Sequence, residues 1–327
     1  MSADRPWRPS AATEALRLRA RLYRVLREFF FERSVLEVET PILSAASNTD
    51  PNIRSFSLEY SGPLAGASRE RFLRTSPEFP LKRLLASGLG DCYELGRVFR
   101  DGEAGGRHNP EFTMLEWYRL GFDHHRLMDE VAELLHSAFA LVGRSLATRR
   151  LSYRALFVEN LALDPVVASI AELQSPLQAF GVEARDLQRD DWLDLLLSLC
   201  IEPKLDPATL YLVHDFPPTQ CALARLAGEG EDAHACRFEA YVGGVELANG
   251  YWELADSAEQ HRRFGADNAR RAVRGERELP MDQLLLDAIE AGLPDCAGVA
   301  MGLDRLLMVL LQAASIDEVL AFPTARA

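Results

Sequence analysis

Two apolar runs, Cys92–Arg100 and Glu111–Arg119, stand on either side of a glycine-rich loop, and this pairing constrains the chain more than any other stretch. The second run alternates: Phe112, Met114, Glu116 and Tyr118 fall on one face, and Thr113, Leu115, Trp117 and Arg119 on the other. A period of two predicts a half-buried strand, because successive Cβ atoms of extended backbone point to opposite faces. Strand, loop and strand then read as an antiparallel hairpin with an enlarged turn, and long turns are where function concentrates. The rim of this turn is cationic and polar: Arg97, Arg100, Arg107, His108 and Asn109. Guanidinium groups give forked, charge-assisted hydrogen bonds to phosphate and carboxylate oxygens, so the rim suits an oxyanion. A solvated basic loop is the competing reading.

The charge balance limits what else the chain binds. A formal charge of −13 over 327 residues argues against broad nucleic-acid or anionic-membrane binding, while leaving room for a local basic funnel. Cysteines at 92, 200, 221, 236 and 296 form no CxxC and have no histidine at ligand spacing. That pattern suits reduced thiols in a cytosolic protein rather than a disulfide framework or a zinc site. The opening MSADRPWRPS lacks the apolar core of a signal peptide, and no run approaches a membrane span. The expected location is therefore the cytoplasm, with no membrane partner.

Residues 1–13, polar and Pro-containing, are expected as a loose arm before one domain spanning 14–327. Helical spacing of Leu22, Val25, Leu26, Phe29 and Phe30 predicts a helix from Glu14 to near Ser34. Leu36–Pro41 alternates as a short strand that Pro41 stops, and 61–68 is a Gly/Pro/Ser loop. A helix over 77–87 is expected, with Ser76 as N-cap and Pro77 at its first position. Asp123 caps a further helix, and 152–205 reads as a helical packing segment. A basic, solvent-facing helix over 256–274 and a helix over Met281–Ala291 follow from the same patterns.

Gly243-Gly244 between apolar runs predicts a two-residue hairpin turn. Glu239, Glu246 and Glu253 recur seven apart around it. Carboxylates in apolar strands are costly unless a cation or metal pairs with them, and hard oxygen ligands suit Mg2+. Exposed carboxylates on a half-solvated sheet are the alternative. Gly298–Leu310 reads as a small-residue strand entering an apolar helix, with Arg305 in its first turn. A guanidinium buried there would need an anion.

Taken in order, Val35–Leu43, Arg97–Tyr118 and Gly298–Leu310 resemble motifs 1, 2 and 3 of the class II aminoacyl-tRNA synthetases. The segments HNPEFTMLEWY, VELANGYWEL and GVAMGLDR are similar to the lysyl-tRNA synthetase catalytic domain. Without an OB-fold ahead of them, the chain resembles the truncated elongation factor P–(R)-β-lysine ligase family. The resemblance covers 14–327 and implies an α+β fold, an antiparallel sheet flanked by helices, with no OB anticodon-binding domain. It implies ATP-dependent formation of a β-lysyl-adenylate and transfer to a lysine ε-amine of elongation factor P. ATP and Mg2+ would be the cofactors and (R)-β-lysine or lysine the amino acid. A homodimer through the region near Pro41 and no stable tRNA binding are also implied. The alternatives are a stand-alone lysyl-tRNA synthetase-like enzyme charging another acceptor, and a non-catalytic regulatory paralogue.

Carried over by position, the resemblance implies a role for each site residue. Ser76, Pro77 and Glu78 would line the amino-acid site, with Glu78 facing an ammonium. Arg100 would hold the α-phosphate and the substrate carboxylate, with Asp101, Gly102 and Glu103 beside it at the nucleotide. The family's motif 2 usually reads Arg-Asn-Glu, so either Glu103 contacts adenine after a local shift or backbone does. His108 and Asn109 would sit at the nucleotide, with Phe112 stacked on adenine. Tyr118 and Glu253 would hold the far ammonium of β-lysine, with Asn249 beside them and Tyr251 where lysyl enzymes tend to have Phe. Glu246 and Leu247 would bind ATP, and Glu246 with Glu253 the metal. Gly302 would complete the site, with Arg305 at the γ-phosphate and catalytic alongside Arg100. Ala300 stands where lysyl enzymes have a pocket glycine.

Overall fold

The computed structural model describes residues 7–63, 68–182 and 187–327, so the start of the expected arm and part of the 61–68 loop lie outside the described residues. Two compact units divide the chain: Met1–Gly121, Leu254–Cys296 and Ala300–Ala327 form one, and Phe122–Glu253 with Ala297–Val299 the other. Among the described residues no helix is long and apolar enough to cross a membrane.

The first unit opens with α1 (Thr13–Glu32), β1 (Leu36–Glu37), β2 (Leu43–Ser44), β3 (Ser57–Glu59), β4 (Glu70–Leu73), α2 (Glu78–Ala86), β5 (Cys92–Phe99) and β6 (Glu111–Leu120). The helix expected from Glu14 forms because Leu18, Leu22, Leu26, Phe29 and Phe30 fall on one buried stripe. Phe30 stacks on Tyr93 at 4.3 Å and meets Trp117 edge-on at 5.4 Å. β5 and β6 pair antiparallel in unbroken register from Cys92↔Tyr118 to Phe99↔Glu111, the hairpin that their alternation predicts. β6 is more than half-buried, however: Thr113 to Tyr118 are buried on both faces. Phe30 covers Trp117 on one side, and Ser76 reaches Glu116 on the other.

Other expectations shift by small amounts. The strand expected over 36–41 pairs only at Leu36 and Glu37, and it runs parallel to β5 at the edge of an otherwise antiparallel hairpin. β2, β4 and β3 form a separate small sheet. Ser10 and Ala11 belong to no loose arm, since their N–H groups donate to the carbonyls of Ala321 and Leu320 at 2.8 and 3.0 Å. Pro77 rather than Ser76 occupies the N-cap position of α2, and Ser76 Oγ accepts from the Glu78 N–H at 2.9 Å.

The second unit holds α3 (His124–Ala140), β7 (Ala147–Ser152), α4 (Tyr153–Leu161), α5 (Ile170–Gln174), α6 (Arg189–Leu196), β8 (Thr209–Phe216), β9 (Leu226–Ala227), β10 (His234–Val242) and β11 (Val245–Trp252). Asp123 caps α3 by accepting from the Arg126 N–H at 2.8 Å. Tyr153, Leu156, Phe157, Trp192, Leu193 and Leu196 bury together, so the helical segment is a packing element as expected. The strands run β11-β10-β8-β7, with β9 on β10 and β7 parallel to β8. Gly243 and Gly244, at φ 59° and 68°, make the turn from β10 to β11, since a hairpin turn matching strand twist needs two positive φ values.

The chain then continues through α7 (Ser257–Val273), α8 (Gln283–Gly292), β12 (Cys296–Gly302) and α9 (Leu303–Leu311). Asp256 caps α7 as expected, but Phe264 and Asn268 are buried, so that helix is not wholly solvent-facing. Asp282 caps α8, which therefore starts at Gln283 rather than Met281. The fold is α+β, with sheet strands flanked by helices.

Candidate active site

Arg100 stands where β5 leaves the hairpin ladder. Its backbone N–H donates to the Pro110 carbonyl at 2.8 Å, and its guanidinium lies 5.1 Å from the centre of the Phe112 ring. Arg100 Nη1 is 3.5 Å from Glu103 Oε1, which makes Glu103 a companion of this arginine. Arg100 Nε is buried and has no acceptor among the described residues. Such a donor costs about 1–3 kcal/mol, and an incoming oxyanion would satisfy it. Asp101 and Gly102 are exposed in the turn, held by the Asp101 N–H on the Arg54 carbonyl at 2.8 Å.

His108 and Arg305 come together, with Arg305 Nη2 2.6 Å from His108 Nε2. Arg305 is only half-buried, whereas the adjoining Asp304 is 1% exposed. Asp304 takes Arg19 Nη2 at 2.5 Å on one oxygen and the Thr113 N–H at 2.7 Å on the other. The deeply buried charge of α9 is therefore Asp304, a residue that sequence reasoning missed. Asn109 is engaged at both ends of its amide. Its Nδ2 donates to the Glu111 carbonyl at 2.6 Å, and its Oδ1 accepts from Thr324 N and Oγ1 at 3.0 and 3.1 Å. It ties the hairpin to the C-terminal segment.

Two of the residues expected at the amino acid, Ser76 and Tyr118, meet on another buried carboxylate. Ser76 Oγ donates to Glu116 Oε2 at 2.6 Å, and Tyr118 OH to Glu116 Oε1 at 2.8 Å. Glu116 is 2% exposed and was not singled out from the sequence. Glu78 pairs with the chain's own Lys82 ammonium at 2.6 Å, not with a substrate's, and Pro77 beside it is buried. A further network supports β5: Arg74 Nη1 lies 2.6 Å from Glu94 Oε1, and Thr40 Oγ1 donates to Glu94 Oε2 at 2.6 Å. A Cβ on Gly96 would stand 2.5 Å from Arg74 Nη2, so only glycine lets this guanidinium pass. Gly302 is different. A Cβ there would meet nothing nearer than Arg305 Cδ at 4.0 Å, so the chain itself does not require glycine at the start of α9. Ala300, two residues earlier in β12, is half-buried.

In the second unit the register of β10 and β11 passes from Ala240↔Ala248 to Tyr241↔Glu246, which leaves Leu247 as an extra residue. A bulge of this kind reverses the alternation of faces. Glu246 therefore shares a face with Asn249 and Tyr251, although a plain strand would put residues an odd number apart on opposite faces. Arg237, Glu239 and Tyr241 of β10 occupy the same face through the pairs Arg237↔Tyr251, Glu239↔Asn249 and Tyr241↔Glu246. Arg237 and Tyr241 both bond the Glu239 carboxylate, Arg237 Nε donates to Asn249 Oδ1 at 3.1 Å, and Asn249 Nδ2 donates to Tyr251 OH at 2.9 Å. Burial pushes the Glu239 carboxyl up to about 7; the nearby Glu246 charge adds to the rise and Arg237 opposes it.

The two carboxylates brought together are thus Glu239 and Glu246. Glu246 and Glu253, the metal pair expected from the sequence, are separated by nearly the full length of β11. Along extended backbone that is roughly 20 Å between Cα atoms, too far for one ion. Glu253 is 1% exposed, and its carbonyl accepts from Arg225 Nε at 2.7 Å. Leu247 is 2% exposed, so only its backbone is available to a ligand.

Residues 5–326 match the family described as tRNA synthetases class II (D, K and N). The chain is 48% identical over 324 residues to a Vibrio cholerae serotype O1 protein named elongation factor P--(R)-beta-lysine ligase, covering 98% of each chain. A Vibrio parahaemolyticus protein of the same name is 45% identical over 320 residues, covering 97% of this chain and 98% of the relative. Another from Yersinia enterocolitica is 44% identical over 330 residues and covers 100% of both.

Proposed function

We propose, for a chain that belongs to the class II tRNA synthetase family of the D, K and N enzymes, that it is an ATP-dependent ligase acting on elongation factor P. It activates (R)-β-lysine as the adenylate and transfers the β-lysyl group to a lysine ε-amine of that protein. The observation that carries the reading is the end-to-end likeness to relatives bearing that name, at 44–48% identity.

In the first half-reaction a carboxylate oxygen of the amino acid attacks the α-phosphorus of ATP. The bond from that phosphorus to the bridging oxygen breaks, and pyrophosphate leaves. Negative charge grows on the non-bridging oxygens, where fixed donors lower the barrier most. Arg100 suits this role, because it is held against Phe112 and its buried Nε awaits an acceptor. Glu103 neutralises Arg100 until phosphate takes its place. Arg305, steadied by His108, meets the γ-phosphate, and open space above Gly302 lets the nucleotide approach the backbone. Phe112 offers its other ring face to adenine, while Asp101 and Gly102 border the nucleotide. Asn109 keeps the hairpin in place.

Glu116, held by Ser76 and Tyr118, supplies negative charge for an ammonium of β-lysine. Asn249, Tyr251 and Glu253 are proposed for the amino acid from the family resemblance, and so is Ala300. Glu246, whose neighbour Glu239 already has both oxygens bonded by Arg237 and Tyr241, would hold Mg2+, which would neutralise phosphate oxygens. In the second half-reaction the acceptor ε-amine attacks the adenylate carbonyl, an amide bond forms, the amine loses a proton, and AMP leaves with the bonding electrons. Phe31 and Leu36, 84% and 51% exposed beside motif 1, give a homodimer near Pro41 apolar surface to bury. The reading places the enzyme in the cytoplasm, without stable tRNA binding.

The test supplies ATP with labelled (R)-β-lysine or lysine and offers elongation factor P or tRNA as acceptor. The expected result is pyrophosphate exchange that depends on (R)-β-lysine, with label on the protein. Label on tRNA alone would assign the chain to tRNA charging. No exchange with either amino acid would assign it to the non-catalytic paralogues.

A further inference from the structure

Four of the seven histidines gather around one aspartate in the second unit, and none of them has a role above. The register of β8 and β10 passes from Ala235↔Phe216 to Phe238↔His214, so Cys236 and Arg237 together oppose the single residue Asp215. Asp215 adopts φ 58° at this bulge, a conformation that Asp tolerates better than most residues. In a plain strand His214 and Asp215 would point to opposite faces. Here both reach the same cluster: His214 Nδ1 lies 2.9 Å from Asp215 Oδ2, and the His214 ring lies 5.1 Å from that of His125.

His124 and His125 arrive from the first turn of α3. His124 Nε2 is 3.1 Å from Asp215 Oδ1, the His124 and His125 rings are 4.1 Å apart, and His234 Nε2 stands 3.7 Å from Asp215 Oδ1. One ligating atom from each of His124, His125 and Asp215 can be chosen so that all three lie within 4.8 Å of one another. His124 is 4% exposed, and its Nδ1 is buried with no hydrogen-bond partner among the described residues. A buried ring nitrogen without a partner, amid imidazoles and a carboxylate, points to a missing ligand.

We propose that His124, His125 and Asp215 form a Zn2+ site, flanked by His214 and His234. Two imidazoles and a carboxylate are a donor set for zinc and its transition-metal neighbours, while Mg2+ and Ca2+ prefer oxygen alone. Two donor atoms on one tetrahedral zinc, at about 2.0–2.2 Å each, lie about 3.3–3.6 Å apart, so side-chain rotations that draw the three atoms in from within 4.8 Å of one another close the cluster. His125 is exposed and leaves the ion a way in. Bound zinc clamps the start of α3 to the bulge between β8 and β10.

The test uses untagged full-length protein, stripped with chelator and dialysed against ZnCl2 in excess Mg2+, with metal per chain measured by atomic emission and the melting temperature recorded. One zinc per chain and a higher melting temperature are expected. His125→Ala, at an exposed position, and Asp215→Asn should each weaken retention by about tenfold or more. His136→Ala, outside the cluster and bonded to Thr148, should leave it unchanged. No zinc retained, or zinc that survives both cluster substitutions because thiols hold it, overturns the proposal.

Discussion

Arg305 Nη2 lies 2.6 Å from His108 Nε2, so the first turn of α9 and the loop between β5 and β6 hold each other in place. Arginine can only donate, so His108 presents Nε2 as acceptor and carries its proton on Nδ1. His108→Ala leaves Arg305 without that support. We expect ATP–pyrophosphate exchange to fall about tenfold, with the melting temperature unchanged. His108→Gln, which keeps an acceptor, should recover part of the loss, and equal rates for both variants would refute the positioning role.

Arg100 should show the opposite balance between activity and stability. Its Nε has no acceptor among the described residues, so Arg100→Ala removes a donor whose bond forms with a ligand. Adenylation should slow by about 10²–10³-fold, while urea unfolding changes little. A loss of less than tenfold in steady-state exchange would count against placing Arg100 at the reacting phosphate.

Asp304 is a structural charge. Asp304→Asn would leave Arg19 buried without its counter-charge and weaken the bond to the Thr113 N–H. Breaking a buried pair costs about 3–5 kcal/mol, and the urea midpoint should fall accordingly. Adding Arg19→Met should restore most of the stability. If the double variant is no better than the single one, unpaired charge is not the cause.

The thiols give a pH-dependent prediction. Burial pushes the Cys92 thiol up to about 12, with Asp91 adding to it, and burial likewise takes Cys236 to about 11. Since the thiolate is the reactive form, native Cys92, Cys200, Cys236 and Cys296 should resist alkylation near pH 8, and the half-buried Cys221 should react first. The raised values also set a sign. An unfolded chain releases these protons near pH 9 and the folded one does not, so the contribution to stability is lost as pH climbs from about 9 towards 12. Mass spectrometry after brief labelling distinguishes the sites, and rapid modification of Cys92 would contradict its burial.

Ala300 tests the amino-acid preference. Ala300→Gly opens β12 by one methyl group, and exchange should shift from (R)-β-lysine towards lysine. One methyl is worth about 1 kcal/mol, so a change of several-fold is expected. An unchanged ratio would show that the pocket is read elsewhere.

How far the chain could be read beforehand follows the range of each interaction. The β5–β6 hairpin, the turn at Gly243-Gly244 and the cap at Asp123 depend on alternation or on residues a few positions apart, and all three formed as expected. Asp304 was hidden because its partner Arg19 is 285 residues away, and beside Arg305 it looks like an ordinary surface pair. Asn109 seemed available for a nucleotide because Thr324, which occupies its carbonyl oxygen, is 215 residues away. Glu246 and Glu253 recur at a regular spacing in the sequence, but seven residues of extended backbone hold their Cα atoms roughly 20 Å apart, and hydrophobic pattern alone does not reveal the extra residue at Leu247 that turns Glu246 onto the Glu239 face.

The bulge at Leu247 means that part of this site is written as a length. Glu246 joins Asn249 and Tyr251 only because the count between them is one longer than the ladder needs. Exchanging the Leu247 side chain for a similar apolar one keeps that count, whereas deleting the residue alters no functional group and still turns Glu246 away. Divergence along this hairpin is therefore freer in letters than in spacing, and a relative that kept each acidic residue but lost one position would have kept the parts and lost the arrangement.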